Sequence, residues 1–252
     1  MYNSILLIYI ALKQARRHFE KRFRTGVEIA GRLPYNASSR CNLSWGKNRL
    51  IQNIVFDMGG VIVEFNPRAV LARHHVRRED VAYLLQKVFA SKEWVGMDMG
   101  TLTVHETARR ISSSVRTEYR DLAERLVLNW YGEMPPKPGM EQMVRGLKNA
   151  GYGVYLLSNT SRDFYGFKDS VPAFGYFDGF VISADHQVMK PDPSIYKILF
   201  SRFGLTAEEC FFIDDTPANV ETGAALGMQS HCFADGDIRA LKRAMRSSGI
   251  VI

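Results

Sequence analysis

The sequence predicts an α/β protein: a doubly wound parallel sheet of Rossmann-like type carrying a helical insert after its first strand. Three observations carry that prediction. Short apolar runs recur along the chain, and each ends in a cluster of polar residues. Between the runs lie segments with apolar residues at helical spacing, as an alternating strand–helix order requires. At 252 residues, with 46% apolar and 23% charged side chains, the chain suits one large soluble domain plus an insert.

The first run, Ile54-Val55-Phe56, delivers Asp57 into a Gly59-Gly60 turn. A carboxylate at the C-terminal end of a buried strand sits where open α/β sheets place their chemistry. Burying it unpartnered is costly, so a metal or other counter-charge is expected nearby. The second run, Val154-Tyr155-Leu156-Leu157, ends in Ser158-Asn159-Thr160. Phe180-Val181-Ile182-Ser183 forms the third and is followed by Lys190 and Pro191-Asp192-Pro193, a helix start. Cys210-Phe211-Phe212-Ile213 ends in Asp214-Asp215, and Thr216-Pro217-Ala218-Asn219 opens another helix. Helices are expected over about 139–150, 161–171, 192–204, 217–227 and 237–247.

The insert follows from spacing. Asp57 and Ser158 are 101 positions apart, whereas a parallel crossover needs roughly a dozen. Residues 67–135 read as helices, and Met134-Pro135-Pro136-Lys137-Pro138-Gly139 marks the return to the core. The expected organisation is therefore a core of 51–66 and 136–252, an insert of 67–135, and a separate segment 1–50.

Taken singly, each polar tip has an ordinary explanation. Asp57 could cap a turn, Ser158-Asn159 a helix, and acids at a helix start are stabilising in themselves. A lone lysine before Pro-Asp-Pro is usually just solvated. Together, in this order, they resemble the four motifs of the haloacid dehalogenase-like (HAD) superfamily over roughly residues 51–233. The subgroup they look most like includes an α-D-glucose-1-phosphate phosphatase. The resemblance implies a nucleophilic Asp57 forming an aspartyl-phosphate, with Ser158, Asn159 and Lys190 on the substrate phosphate. It also implies Mg2+ held by Asp57, the Gly59 carbonyl and Asp215, with Asp214 beside it. Magnesium suits such a set: a hard ion that takes oxygen ligands and neutralises adjacent carboxylates. The insert then corresponds to the superfamily's small helical cap, which closes over substrate. Trp94, the His74-His75 pair, Arg73 and His105 are its candidate substrate contacts.

One position departs from the pattern. HAD phosphatases usually carry a general acid two residues after the nucleophile, and here that residue is Gly59. Such an acid contributes about a hundred- to ten-thousand-fold. Its loss leaves three readings: esters with good leaving groups, a proton supplied from elsewhere (Glu64 or a cap histidine), or an inactive protein. The superfamily's dehalogenases also lack the acid, but they need no metal, and Asp214-Asp215 argues for one.

Charge divides the chain. The first fifty residues hold ten Lys and Arg against two Glu; subtracted from totals of 33 and 26, that leaves 23 basic and 24 acidic side chains beyond. The pI of 9.3 therefore belongs to the extension, and no nucleic-acid footprint is expected on the domain. The extension reads as a disordered segment or an overcalled start, with translation beginning near Leu50. Its apolar run of eight, Ile5 to Leu12, is too short to span a membrane. A weak surface anchor remains open. Basic residues follow that run rather than precede it, unlike a secretory signal. Three scattered cysteines, with Cys210 and Cys232 expected in buried strands, fit a reducing cytoplasm. The leading expectation is an Mg2+-dependent phosphomonoesterase acting on a small phosphorylated metabolite, a sugar phosphate. The alternatives are a catalytically silent phosphate-binding protein and a phosphoglucomutase-like transferase.

Overall fold

The computed structural model describes residues 50–252, and the expectations placed on the basic extension fall outside those residues. Five strands form one parallel sheet: β1 (Asn53–Phe56), β2 (Gly153–Ser158), β3 (Gly179–Ile182), β4 (Cys210–Asp214) and β5 (Gln229–Cys232). Their spatial order is β3-β2-β1-β4-β5. The chain winds outward from β1 in both directions, which makes the C-terminal end of β1 a topological switch point. In register, Phe56 lies beside Leu156 on one side and Ile213 on the other. The polar residues that follow these strands therefore emerge at one edge.

The inner strands read as unbroken apolar runs because both faces of the sheet are covered. Ile54 and Phe56 join a large core with Leu147, Phe164, Leu241 and Met245, whereas Val55 faces Ile195, Tyr196 and Leu199 in a smaller one. β5 is an edge strand, and its residues are at most half-buried. Cys232, expected in a buried strand, is accordingly only half-buried, while Cys210 in β4 is fully buried. Among the described residues, no helix is long and apolar enough to cross a membrane.

Between β1 and β2 the chain leaves the sheet and forms a helical layer. Asn66 caps the helix Pro67–Arg73, its side chain accepting from the Ala69 N–H at 3.0 Å. Ser91 does the same for Lys92–Asp98, and Thr103 with Glu106 forms a capping box at the start of Val104–Ser114. The apolar faces of Val104–Ser114 and Arg120–Leu128 pack together through Ala108, Ile111, Ala123 and Leu126. The buried Asp80 carboxylate ties the layer's outer end, accepting from Tyr119, Arg77 and Arg116. Those partners hold its carboxyl down at about 2, with the Tyr119 hydroxyl the strongest of them.

The two chain crossings at the insert's base run side by side. Glu64 N–H donates to the Pro135 carbonyl at 2.8 Å, and Lys137 N–H to the Ile62 carbonyl at 2.9 Å. Glu133 accepts from Arg73 at 2.7 Å and bonds His74 at 2.8 Å, linking the first helix of the insert to its exit.

The segment expected as one helix over 161–171 is broken. A single short helix, Phe164–Phe167, is followed by 3-10 turns at Lys168–Ser170 and Pro172–Tyr176. Pro172 cannot donate to a helical ladder, and residues preceding proline avoid the helical region. Val171 is extended accordingly. Aromatic packing of Phe164, Phe167 and Phe174 replaces the missing turns.

Candidate active site

Asp57 stands one residue beyond β1, its N–H donating to the Ile213 carbonyl at 2.8 Å. This bond continues the β1–β4 ladder and fixes the carboxylate over the strand ends. The Met58 N–H donates to Asp57 Oδ1 at 2.7 Å. Gly60 has a positive φ of 75°, and a Cβ there would meet Asp215 Oδ2 at 2.3 Å. Only glycine lets this turn pass so close to the acidic pair.

Asp57, Asp214 and Asp215 offer carboxylate oxygens that all lie within 4.8 Å of one another. Lys190 reaches between two of them, with Nζ 2.9 Å from Asp57 Oδ1 and 2.6 Å from Asp214 Oδ2. Asp214 is fully buried and also accepts from the Thr216 N–H and from Asn219 Nδ2. Three carboxylates thus face one ammonium group. Burial pushes the Asp57 carboxyl up to about 7; Lys190 pulls it down, and Asp214 and Asp215 push it higher. Burial and the neighbouring Asp214 raise Asp215 to about 6. Desolvation acts to lower Lys190, but Asp214 and Asp57 outweigh it and hold the amine above its ordinary value. A cluster that resists full ionisation is short of positive charge, and oxygen ligands in this arrangement fit a hard divalent cation.

Ser158 ends β2 buried at the same edge. Asn159 follows it, but its amide is directed at Lys190: Nδ2 donates to the Lys190 carbonyl at 2.9 Å and Oδ1 accepts the Lys190 N–H at 2.8 Å. Behind them the Thr160 N–H donates to Ser183 Oγ, whose hydroxyl donates to the Asp98 carbonyl of the insert. Gly100, with φ of 71°, lies so near the Ala184 carbonyl that a Cβ would come within 2.2 Å of it. The helical layer and the strand ends therefore meet beside the Ser158–Thr160 loop.

The sheet edge, the acid cluster and the buried lysine are joined by a comparison of the sequence with known families. A family model described as haloacid dehalogenase-like hydrolase matches residues 51–227. The chain belongs to that family. This HAD-like hydrolase is 26% identical over 175 residues to a sesquiterpene phosphatase of Aspergillus oryzae, covering 69% of this chain and 85% of the relative. It is 27% identical over 192 residues to a D-ribitol-5-phosphate phosphatase of Bacteroides thetaiotaomicron, covering 72% and 91%. Among solved structures, a HAD family enzyme from Bacteroides thetaiotaomicron superposes with a TM-score of 0.59 at 23% identity, over 77% of this chain and all of that one. A complex of that enzyme with magnesium and inorganic phosphate superposes with a TM-score of 0.55 at 22% identity, over 72% and 93%. These structural likenesses establish the fold.

Within the HAD-like hydrolase, Asp57, Lys190, Asp214 and Asp215 come together, Ser158 ends the strand beside them, and Asn159 is bonded to the Lys190 backbone. The candidate contacts in the insert fare differently. Trp94 is buried against Phe89. Arg73 and His74 are engaged by Glu133, and His75 and His105 are exposed. Two residues to which the sequence assigned no role belong to the site's frame. Asn219 is signalled by its place four residues after Asp215, one helical turn on. Ser183 carries no such signal, because its partners lie 23 and 85 positions away.

Proposed function

We propose that this HAD-like hydrolase is an Mg2+-dependent phosphomonoesterase of small phosphorylated metabolites, sugar phosphates in particular. One observation carries the reading: Asp57, Asp214 and Asp215 gather around Lys190 at the switch point of the sheet. The phosphatases among its relatives support the same reaction class. Free thiols at Cys210 and Cys232 suit a reducing cytoplasm.

In this scheme Asp57 attacks phosphorus, the bond from phosphorus to the ester oxygen breaks, and that oxygen departs with the bonding pair as an oxyanion, which takes its proton from water. Water then attacks the aspartyl-phosphate, releasing inorganic phosphate and restoring Asp57. Ser158 and the Lys190 ammonium hold the phosphoryl oxygens as charge spreads over them. Asn159 acts one step back by fixing the Lys190 backbone. Asp57, Asp215 and the Gly59 carbonyl would hold Mg2+, with Asp214 steadied beside them by Asn219 and Thr216. When bound, the ion neutralises the carboxylates and the phosphate, so that Asp57 is ionised and reactive at neutral pH.

Residues 67–135 serve as the cap and 51–66 with 136–252 as the core. The paired crossings at Glu64–Pro135 and Ile62–Lys137 form the hinge. The deciding experiment is a panel of phosphate esters assayed on the purified full chain with and without Mg2+. Turnover that needs the ion supports the proposal. Phosphate binding without turnover of any ester favours the silent phosphate-binding reading that Gly59 raises.

A further inference from the structure

Phe65 is an unusual residue to find exposed beside the Gly59 turn that follows Asp57. It is 39% exposed, one of few large apolar side chains at the surface of the described residues. Its placement follows from the backbone. The chain from Val63 to Phe65 runs extended past the turn that carries Asp57, with Val63 bridging Gly59 and Pro136. Successive side chains alternate. Val63 is buried, Glu64 turns to Lys137 at 3.7 Å, and Phe65 turns to Gly59. A Cβ on Gly59 would stand 3.5 Å from Phe65 Cβ and 3.8 Å from Cγ. The next residue, Asn66, caps the first helix of the insert, so that Phe65 sits at the junction of the two layers.

Resting on the phosphomonoesterase reading above, we infer that Phe65 is a specificity-determining platform: it takes the flat face of the ester's organic group, selecting aryl and ring-sugar phosphates. Two features at one place agree. Residue 59 carries no side chain, and the atoms that a Cβ there would approach within 4 Å are those of the Phe65 aromatic side chain. Without an acid at residue 59, the favoured esters are those whose oxygen leaves readily. Aryl and anomeric oxygens do so, and both are attached to rings with an apolar face. Aromatic rings accept such faces in offset or edge-on geometry. A two-carbon acyl or alkyl group has no face to offer.

The experiment compares Phe65→Ala, Phe65→Trp and the natural chain, all with Mg2+, on two esters, p-nitrophenyl phosphate and a hexose 1-phosphate, and on an acyl phosphate, acetyl phosphate. Acetyl phosphate has a good leaving group but no ring, and it reports the chemistry alone. Phe65→Ala should raise KM for the two ring esters about tenfold, leave their kcat little changed, and leave acetyl phosphate turnover within about twofold. Phe65→Trp should restore the ring esters. An equal loss on all three compounds would show that Phe65 serves the fold or the hinge, and an unchanged KM for the ring esters would show that they do not rest on it; either result overturns the inference. Failure of the natural chain on all three compounds with Mg2+ would instead remove the phosphomonoesterase reading, and the platform with it.

Discussion

Asn159 and Lys190 hold each other through two hydrogen bonds, at 2.9 and 2.8 Å, that join the end of β2 to the segment after β3. The amide spends both of its polar atoms on the lysine's backbone, so its role is to place the ammonium between Asp57 and Asp214. Asn159→Ala should lower kcat by about a hundredfold, the effect typical of a misplacement near 1 Å. KM should change less. Asn159→Asp keeps the acceptor, loses the donor and should fall between. A loss confined to KM would show that the side chain meets substrate directly.

Asp57→Asn should abolish turnover and leave the fold intact. The carboxyl it removes is buried and pushed up to about 7, so its charge is a burden on the metal-free protein. The variant should therefore melt at the same temperature as the natural chain or slightly above it at pH 8 with chelator. Turnover by a folded Asp57→Asn protein would remove Asp57 from the role of nucleophile.

Metal and pH should act together on stability. Asp57 and Asp215 are raised to about 7 and 6 in the fold, above an unfolded value near 4. Between those limits the folded protein binds protons that the unfolded chain has lost. Stability of the chelated protein should therefore fall as pH rises from about 4 to 7 and level off above. A cation binds the ionised carboxylates, so added Mg2+ should lift the melting temperature most at pH 8 and little at pH 5. Each kcal/mol corresponds to about 2–4 °C for a domain of this size. A magnesium effect independent of pH would contradict this account of the cluster.

The parts of the site legible in the sequence are those that local physics marks. Ile54–Phe56 and Cys210–Ile213 are continuous apolar runs because both sheet faces are covered, and the acids that follow them stand out against that background. Asn159 was visible as a residue but not in its role, since its partner is 31 positions away and the pairing depends on how β2 and β3 align. Ser183 is placed by tertiary contacts that no local pattern encodes. The broken helix after Ser161 shows the converse: helical spacing of aromatics is equally compatible with packed 3-10 turns, and Pro172 decides between them.

Gly59 yields the sharpest test of mechanism. With Glu64 drawn to Lys137, His74 to Glu133, and His75 and His105 exposed, the departing oxygen is taken to leave without a proton donor beside it. That oxygen must then carry more negative charge in the transition state. kcat/KM should fall steeply as leaving-group pKa rises, with aryl and anomeric phosphates far above primary alkyl phosphates. Gly59 has ordinary backbone, and a Cβ there meets only Phe65, at van der Waals distance. Gly59→Asp should accordingly fold. The new carboxyl should flatten the dependence by improving the poorest leaving groups most, recovering part of the about hundredfold or greater contribution of a general acid. A dependence that is already flat in the natural protein would mean that a proton reaches the leaving oxygen from another group, and Gly59→Asp would then bring no gain.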